Sequence, residues 1–289
     1  MEQLIGFGIY LVTVTCIFAM LAMSLDLQVG ACGLMNFGQV VFMMVGAYAT
    51  AIAANAGINP YACIVISMAV AALLGVVMSL TVKNMGGTYW GILSLSMAEL
   101  IRLVFLNERW LADGANGLSV LITIPYFSLT VVVSTLFVIL ILRVIWLSPF
   151  GRVIRMIREG DRLPLALGKN VLLFKLETMA IGGAIGGLGG SFYALLNSYI
   201  SPDDGLPIET FIIWAMVVVG GHGNLLGVVA GTVFIQILFV GSRFLTHIVD
   251  IDAGVLAPLR FVLIGLLIMG VMMFRPQGLI PERKRVYRI

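Results

Sequence analysis

Charge is scarce in this sequence. Asp, Glu, Lys and Arg make up 11% of the 289 residues, where a soluble domain carries about a quarter. Apolar residues fill 61%, and mean hydropathy reaches +1.09. A water-soluble fold of this length has no core large enough to hide so much apolar surface, which excludes the ordinary soluble classes.

Histidine and cysteine are equally sparse. The three cysteines, Cys16, Cys32 and Cys63, lie in or beside apolar runs. They have neither zinc spacing nor the look of a disulfide framework, and read as small apolar fillers. The two histidines, His222 and His247, belong to no H-E-x-x-H motif. Ser191 and His222 are an imaginable nucleophile and base, but Phe192 follows Ser191 where an intramembrane protease has glycine. Neither catalysis nor a metal site is expected. A net charge of +3, with basic residues at the ends of apolar runs, is no nucleic-acid signal. Long linkers and low-complexity tracts are missing too, so residues 1–289 read as one membrane domain.

What the chain does have is apolar runs long enough to cross a bilayer, for which about 20 residues suffice. They fall near 4–25, 37–56, 60–82, 88–107, 127–147, 174–200, 208–220, 224–245 and 256–275. The expected fold is an all-α polytopic membrane protein of about eight or nine transmembrane helices, with broken or re-entrant segments. Orientation follows from Lys and Arg, which collect on cytoplasmic loops. Arg152, Arg155, Arg158, Arg162, Lys169 and Lys175 fall between spans five and six, and Arg275, Arg283, Lys284, Arg285 and Arg288 in the tail. Lys83 and Arg143 join the same side, while Glu108, Asp113, Asp203, Asp204, Glu209, Asp250 and Asp252 lie opposite. The tail is therefore expected in the cytoplasm and the N-terminus outside, which an odd number of crossings satisfies.

Two places interrupt the apolar runs with glycine and polar residues: Asp26 to Gln39, and Gly220 to Gly227. Irregular backbone at membrane depth survives only when packed in protein or lining a water-filled cavity. Two readings fit each. One is a broken helix whose free N–H and C=O groups form a substrate path, built from Asp26, Asn36 and Gln39 in the first break and His222 and Asn224 in the second. The other is a short turn in which Asn and Gly serve only as turn and cap residues. Glu99 and Arg102, three apart, share a helix face. They are either a structural pair or part of a polar path with Tyr89. The run Gly182-Gly183-Ala184-Ile185-Gly186-Gly187-Leu188-Gly189-Gly190 has small-residue spacing for close helix packing. No Lys-Ser or Lys-Thr follows to make it a phosphate loop.

Between spans five and six, Arg152, Arg155, Arg158 and Arg162 form a basic stripe opposite Val153, Ile154 and Ile157. A short amphipathic helix follows, then a second short element from Leu163-Pro164 to Gly168. Such a helix lies on anionic lipid or seats in a groove on a soluble partner, and the pattern fits both.

Taken in order, several blocks resemble the permease subunits of branched-chain amino-acid ABC importers, of the LivM type. They are Gly33-Leu34 to Asn36-Phe37-Gly38, Gly46-Ala47-Tyr48, Gly87-Thr88-Tyr89 with Glu99-Leu100-Ile101-Arg102-Leu103, and Gly114-Ala115-Asn116-Gly117-Leu118. Ser148-Pro149-Phe150-Gly151-Arg152, Ala166-Leu167-Gly168, Ile200-Ser201-Pro202, Gly220-Gly221 and Arg275-Pro276-Gln277-Gly278-Leu279 continue the series. The resemblance implies a transport subunit of the bacterial inner membrane that works with a second, homologous permease. Two cytoplasmic ATPases holding the ATP and magnesium, and a periplasmic solute-binding protein, would complete the importer; this chain itself would bind no cofactor. It also implies that 149–173 is the ATPase-coupling segment, carried by Arg152, Arg155, Arg158, Glu159, Asp161, Ala166 and Gly168. Departures at Asp26, Gln39, Leu163-Pro164 and His222 leave the solute open. Leucine, isoleucine and valine come first, and urea, short amides, other amino acids and small carboxylates follow. The alternative class is a secondary transporter or channel for a small solute such as urea or an amide.

Overall fold

The computed structural model describes residues 2–81, 87–248, 253–275 and 277–281. Lys83, Asp250, Asp252, Glu282, Arg283, Lys284, Arg285 and Arg288, used above for orientation, lie outside them.

The apolar runs fold as helices, since in lipid each backbone N–H and C=O must be satisfied within its own segment. They are α1 (Glu2–Asp26), α2 (Val40–Asn55), α3 (Pro60–Thr81), α4 (Gly87–Asn107), the short α5 (Arg109–Ala112) and α6 (Phe127–Leu147). Then come α7 (Pro149–Glu159), α8 (Arg162–Ala166), α9 (Val171–Asn197), α10 (Pro207–Gly220), α11 (Leu225–Ile248) and α12 (Ala253–Phe274). Five of them are long and apolar enough to span a membrane, and four shorter apolar helices accompany them. These are the expected crossings, with shifted edges. The second begins at Val40, not near 37, because Asn36 and Gly38 hold residues 33–38 out of helical geometry. The sixth covers Val171–Asn197, starting under the cap of Asn170, whose Oδ1 accepts the Leu173 amide at 3.3 Å.

Successive crossings alternate between two ends of the bundle. One end gathers α7, α8, the turn 221–224 and residues 277–281. There the Leu279 and Ile280 amides donate to the carbonyls of Val219 and Gly220. The other end carries the two-stranded ribbon β1 (Leu118–Ser119) and β2 (Tyr199–Ile200), antiparallel with Leu118 opposite Ile200. A 3-10 turn at Pro202–Gly205 follows, tied by Asp204 Oδ2 accepting both the amide (2.8 Å) and the hydroxyl (3.1 Å) of Ser201. Leu206 is extended, and Pro207 then opens α10, where its missing N–H costs nothing.

The glycine-rich α9 packs at the centre against α1, α2 and α3. A Cβ at Gly46 of α2 would stand 2.5 Å from the Gly187 Cα, so these two backbones touch. The glycine run serves close approach, as its spacing predicts. Outward-facing Leu129, Val133, Leu136 and Leu140 on α6 are exposed, an arrangement that suits lipid and not water.

Candidate functional site

The break after α1 does not begin as a loop. The helix continues through one π turn, Leu27–Ala31, and Gly33 then turns the chain at φ 76°. π turns relieve and redirect a helix, and they recur at functional sites. Residues 33–39 climb back inside the bundle to α2. Asn36 Oδ1 accepts the Gly38 amide at 2.8 Å, and the Phe37 amide donates to Ser94 Oγ on α4 at 3.0 Å. Trp214 of α10 donates its indole N–H to the Asn36 carbonyl at 2.9 Å and stacks on Phe37, with centroids 4.9 Å apart.

Behind this segment sits a buried polar network. Asn36 Nδ2 donates to Gln28 Oε1 at 2.7 Å, and Gln28 Nε2 donates to Gln39 Oε1 at 3.1 Å. Gln39 Nε2 donates to Ser24 Oγ at 2.8 Å, and Ser24 donates to the Gly182 carbonyl of α9 at 2.6 Å. All four side chains are fully buried. Asp26 is fully buried too, and its Oδ1 accepts the Gly223 amide at 2.7 Å. The two breaks therefore meet, which sequence separation concealed. Asp26, Asn36 and Gln39 are enclosed within this chain and are not presented on its surface. The irregular backbone is packed in protein, with its polar groups paired to one another.

Asn224 takes the turn role. Its Oδ1 caps the Leu226 amide at 3.2 Å, and its Nδ2 donates to the Pro281 carbonyl at 3.1 Å. His222 is exposed on the turn, whereas Ser191 is fully buried in α9.

On α4, Tyr89, Ile92, Ser96, Glu99 and Leu103 recur at three- and four-residue spacing and make one outward stripe. Tyr89 is 66% exposed. Arg102 grips Glu99 with two donors, Nη2 to Oε1 at 2.6 Å and Nε to Oε2 at 3.0 Å. Its third nitrogen faces Asp203 Oδ1 at 3.8 Å. Asp203 was legible only as an outside-loop acid; the 3-10 turn brings it to α4. Phe211 and Trp214 continue the stripe from α10. Aromatic and ionised groups, interleaved with Ile92, Ser96 and Leu103, thus share one side of the bundle.

The 149–173 segment divides in two. Ser148 caps α7, its Oγ accepting the Gly151 amide at 3.2 Å, and Val153, Ile154 and Ile157 are buried against the bundle. The basic stripe is not uniform. Arg152, Glu159, Asp161, Arg162, Ala166 and Gly168 are exposed. Arg155 turns back, its Nη2 on the Trp146 carbonyl at 2.9 Å, and Arg158 donates to the Gly30 carbonyl in the π turn. Asp161 pairs with Lys175 at 2.7 Å. Sequence spacing gave all four arginines one face, but hydrogen bonding to the free carbonyls at nearby helix ends draws two of them inward.

A membrane bundle whose broken helices meet at one end, beneath an amphipathic helix bonded to the break, is the membrane-spanning part of a transporter. Residues 8–274 match the family described as branched-chain amino acid transport system / permease component, and the chain belongs to that family. It is a permease subunit of an ABC importer, a transport component and not an enzyme. A probable branched-chain amino acid transport permease protein LivM of Methanocaldococcus jannaschii is 26% identical, covering 97% of this chain and 92% of that protein. The high-affinity branched-chain amino acid transport system permease proteins LivM of Escherichia coli and Salmonella typhimurium are each 27% identical, covering 93% of this chain and 69% of theirs. No solved structure matches the chain. The alternative of a secondary transporter or channel is not favoured.

Proposed function

We propose that this subunit forms, with a second homologous permease, the path by which branched-chain amino acids cross the inner membrane. The names of the relatives support that substrate class. The α4 stripe, with Tyr89, Glu99 and Arg102, supplies this chain's wall of the path, together with Asp203, Phe37 and Trp214. An α-amino acid carries one positive and one negative group and an apolar side chain. A wall with paired charges flanked by aromatic rings offers each of these a weak partner and no deep trap.

Asp26, Asn36, Gln39, His222 and Asn224 then act one layer back, as the joint between the two breaks. The exposed part of α7 and α8, with Arg152, Glu159, Ala166 and Gly168, is the surface offered to a cytoplasmic ATPase. Two such ATPases hold the ATP and magnesium, and a periplasmic binding protein delivers solute. Residues 149–173 and the C-terminus face the cytoplasm in this reading, as the Lys and Arg bias favours.

One observation carries the coupling. Arg158 ties α7 to the Gly30 carbonyl, and Asp26, one turn away, ties the same π turn to Gly223 between α10 and α11. A displacement of α7 is passed through two hydrogen bonds to the end of α10, which bears Phe211 and Trp214. The test is uptake of radiolabelled leucine by the complete importer in proteoliposomes. Arg158→Glu should keep ATPase binding and abolish the dependence of ATP hydrolysis on loaded binding protein. Accumulation of leucine by this chain alone under a proton gradient would sink the proposal.

A further inference from the structure

A cavity of about 250 Å³ lies between α1, α9, α10 and α11, in the half of the bundle away from α7. Its polar lining is Tyr10, Tyr193, Asn197, Glu209 and Gln236, with Phe18 among the apolar walls. Glu209 and Ile212 face it from α10, on the side of that helix opposite Phe211 and Trp214, so it is separate from the proposed path.

Tyr10 and Asn197, which carry donors, stand at the exposed mouth, while the polar atoms of the inner end are mismatched in one direction. Gln236 is 2% exposed, and its Oε1 has no hydrogen-bond partner among the described residues. The Glu209 carboxylate likewise has no hydrogen bond or ion pair among them, and its nearest charged influence is another acid, Asp204. Tyr193 has committed its proton to Asp204 Oδ1 at 2.9 Å, so toward the cavity its oxygen can only accept. Among the described residues that line the space there is no Lys or Arg. A buried acceptor such as Gln236 Oε1 is costly when left without a donor. The volume holds several waters' worth of space, far more than a lone metal ion needs.

We infer that this cavity is a binding site for a primary ammonium group carried on a small amphiphile, with Glu209, Gln236 and Tyr193 as its acceptors. An ammonium has three donors and no acceptor, which matches the imbalance. The rings of Tyr10, Phe18 and Tyr193 offer faces for its charge and its attached carbons. The same chemistry comes from two sources, the headgroup of an ethanolamine phospholipid or a free amine.

The experiment uses the full chain in nanodiscs of phosphatidylglycerol, which has no ammonium, and reads the unfolding midpoint. One arm adds phosphatidylethanolamine to the bilayer; the other titrates isobutylamine. Wild type should rise in at least one arm, the lipid arm alone marking a headgroup site and the isobutylamine arm a soluble amine. Glu209→Gln should weaken the response about tenfold in apparent affinity, as expected when one charge-assisted contact is removed. Should Glu209→Gln fail to fold, Val14→Trp, which fills the cavity from α1 and keeps the acid, should abolish the same response. An unchanged response in whichever variant folds, or no response of wild type in either arm, overturns the site. Leucine uptake by the importer is measured in parallel, so failure of this site and failure of the path reading are told apart.

Discussion

The Asp26 carboxylate accepts the Gly223 amide at 2.7 Å, joining positions 197 residues apart in the sequence. That bond is fully buried and holds the end of α1 against the α10–α11 turn. A Cβ on Gly30 would meet the Gly223 amide nitrogen at 2.6 Å, so the backbones are as close as glycine permits. Asp26→Asn retains an acceptor oxygen and should leave expression and uptake largely intact. Asp26→Leu strands the amide and should cost about 1–3 kcal/mol. The readout is the chemical unfolding of the purified transporter together with leucine uptake; equal behaviour of the two variants would show that this bond does not hold the joint.

Arg158 and Arg152 separate structural from partner-facing charge. Arg158→Ala frees the Gly30 carbonyl and should reduce uptake while ATPase subunits still co-purify. Arg152→Ala removes an exposed charge, so any effect should be a weaker hold on the ATPases that grows with salt. Pull-down of the ATPases across a salt series distinguishes these outcomes, and a Gly30 contact that matters only for lipid binding would show no uptake defect.

Gly187 is where α9 meets α2 and α3. A side chain there would stand 2.6 Å from the Ala71 Cβ and 2.7 Å from the Ser67 carbonyl. Gly187→Val should therefore destabilise by about 1–3 kcal/mol or more through overpacking. Gly265→Ala on α12 meets nothing within 4 Å and should be neutral. Yield and monodispersity in detergent report both, and a well-folded Gly187→Val would mean that α9 shifts at little cost.

How much of this was legible beforehand differs by feature. Apolar runs announced the helices, because a span's length and composition are local properties. The glycine run likewise announced close packing, since small residues have one common use inside a bundle. What could not be read was the pairing of Asp26 with Gly223, of Arg102 with Asp203, and of Arg158 with Gly30. Each is a contact between distant segments, one member of which looks like an ordinary turn or loop residue alone. Ser24 and Gln28 were passed over inside the first span and its break, although polar residues in an apolar run were a usable signal. The spacing of the four arginines was read as one side of a helix, but only Arg152, Arg155 and Arg158 lie on α7, and Arg162 opens α8 beyond Gly160. The spacing carried no information on which of them would find a free carbonyl beneath.

The charge cluster on α4 makes the sharpest ranking. Arg102 is the shared member, bonded twice to Glu99 and lying 3.8 Å from Asp203, whose side chain is 79% exposed. Arg102→Gln leaves two carboxylates without their cation on the surface proposed as the wall of the path, and like charges repel. Glu99→Gln leaves Arg102 with Asp203, a longer and more solvated partner. Asp203→Asn removes only that outer contact. Uptake should therefore fall most for Arg102→Gln, less for Glu99→Gln and least for Asp203→Asn, with surface expression unchanged for the last two. In Glu99→Gln/Arg102→Gln both charges of the close pair leave together. That double variant should transport better than Arg102→Gln alone, because only Asp203 is then left without a cation and the repulsion between two acids is gone. Initial rates of leucine uptake at saturating binding protein decide the order. If Arg102→Gln and the double variant are equal, repulsion from an orphaned carboxylate is not the cause, and the arginine must then touch the solute itself.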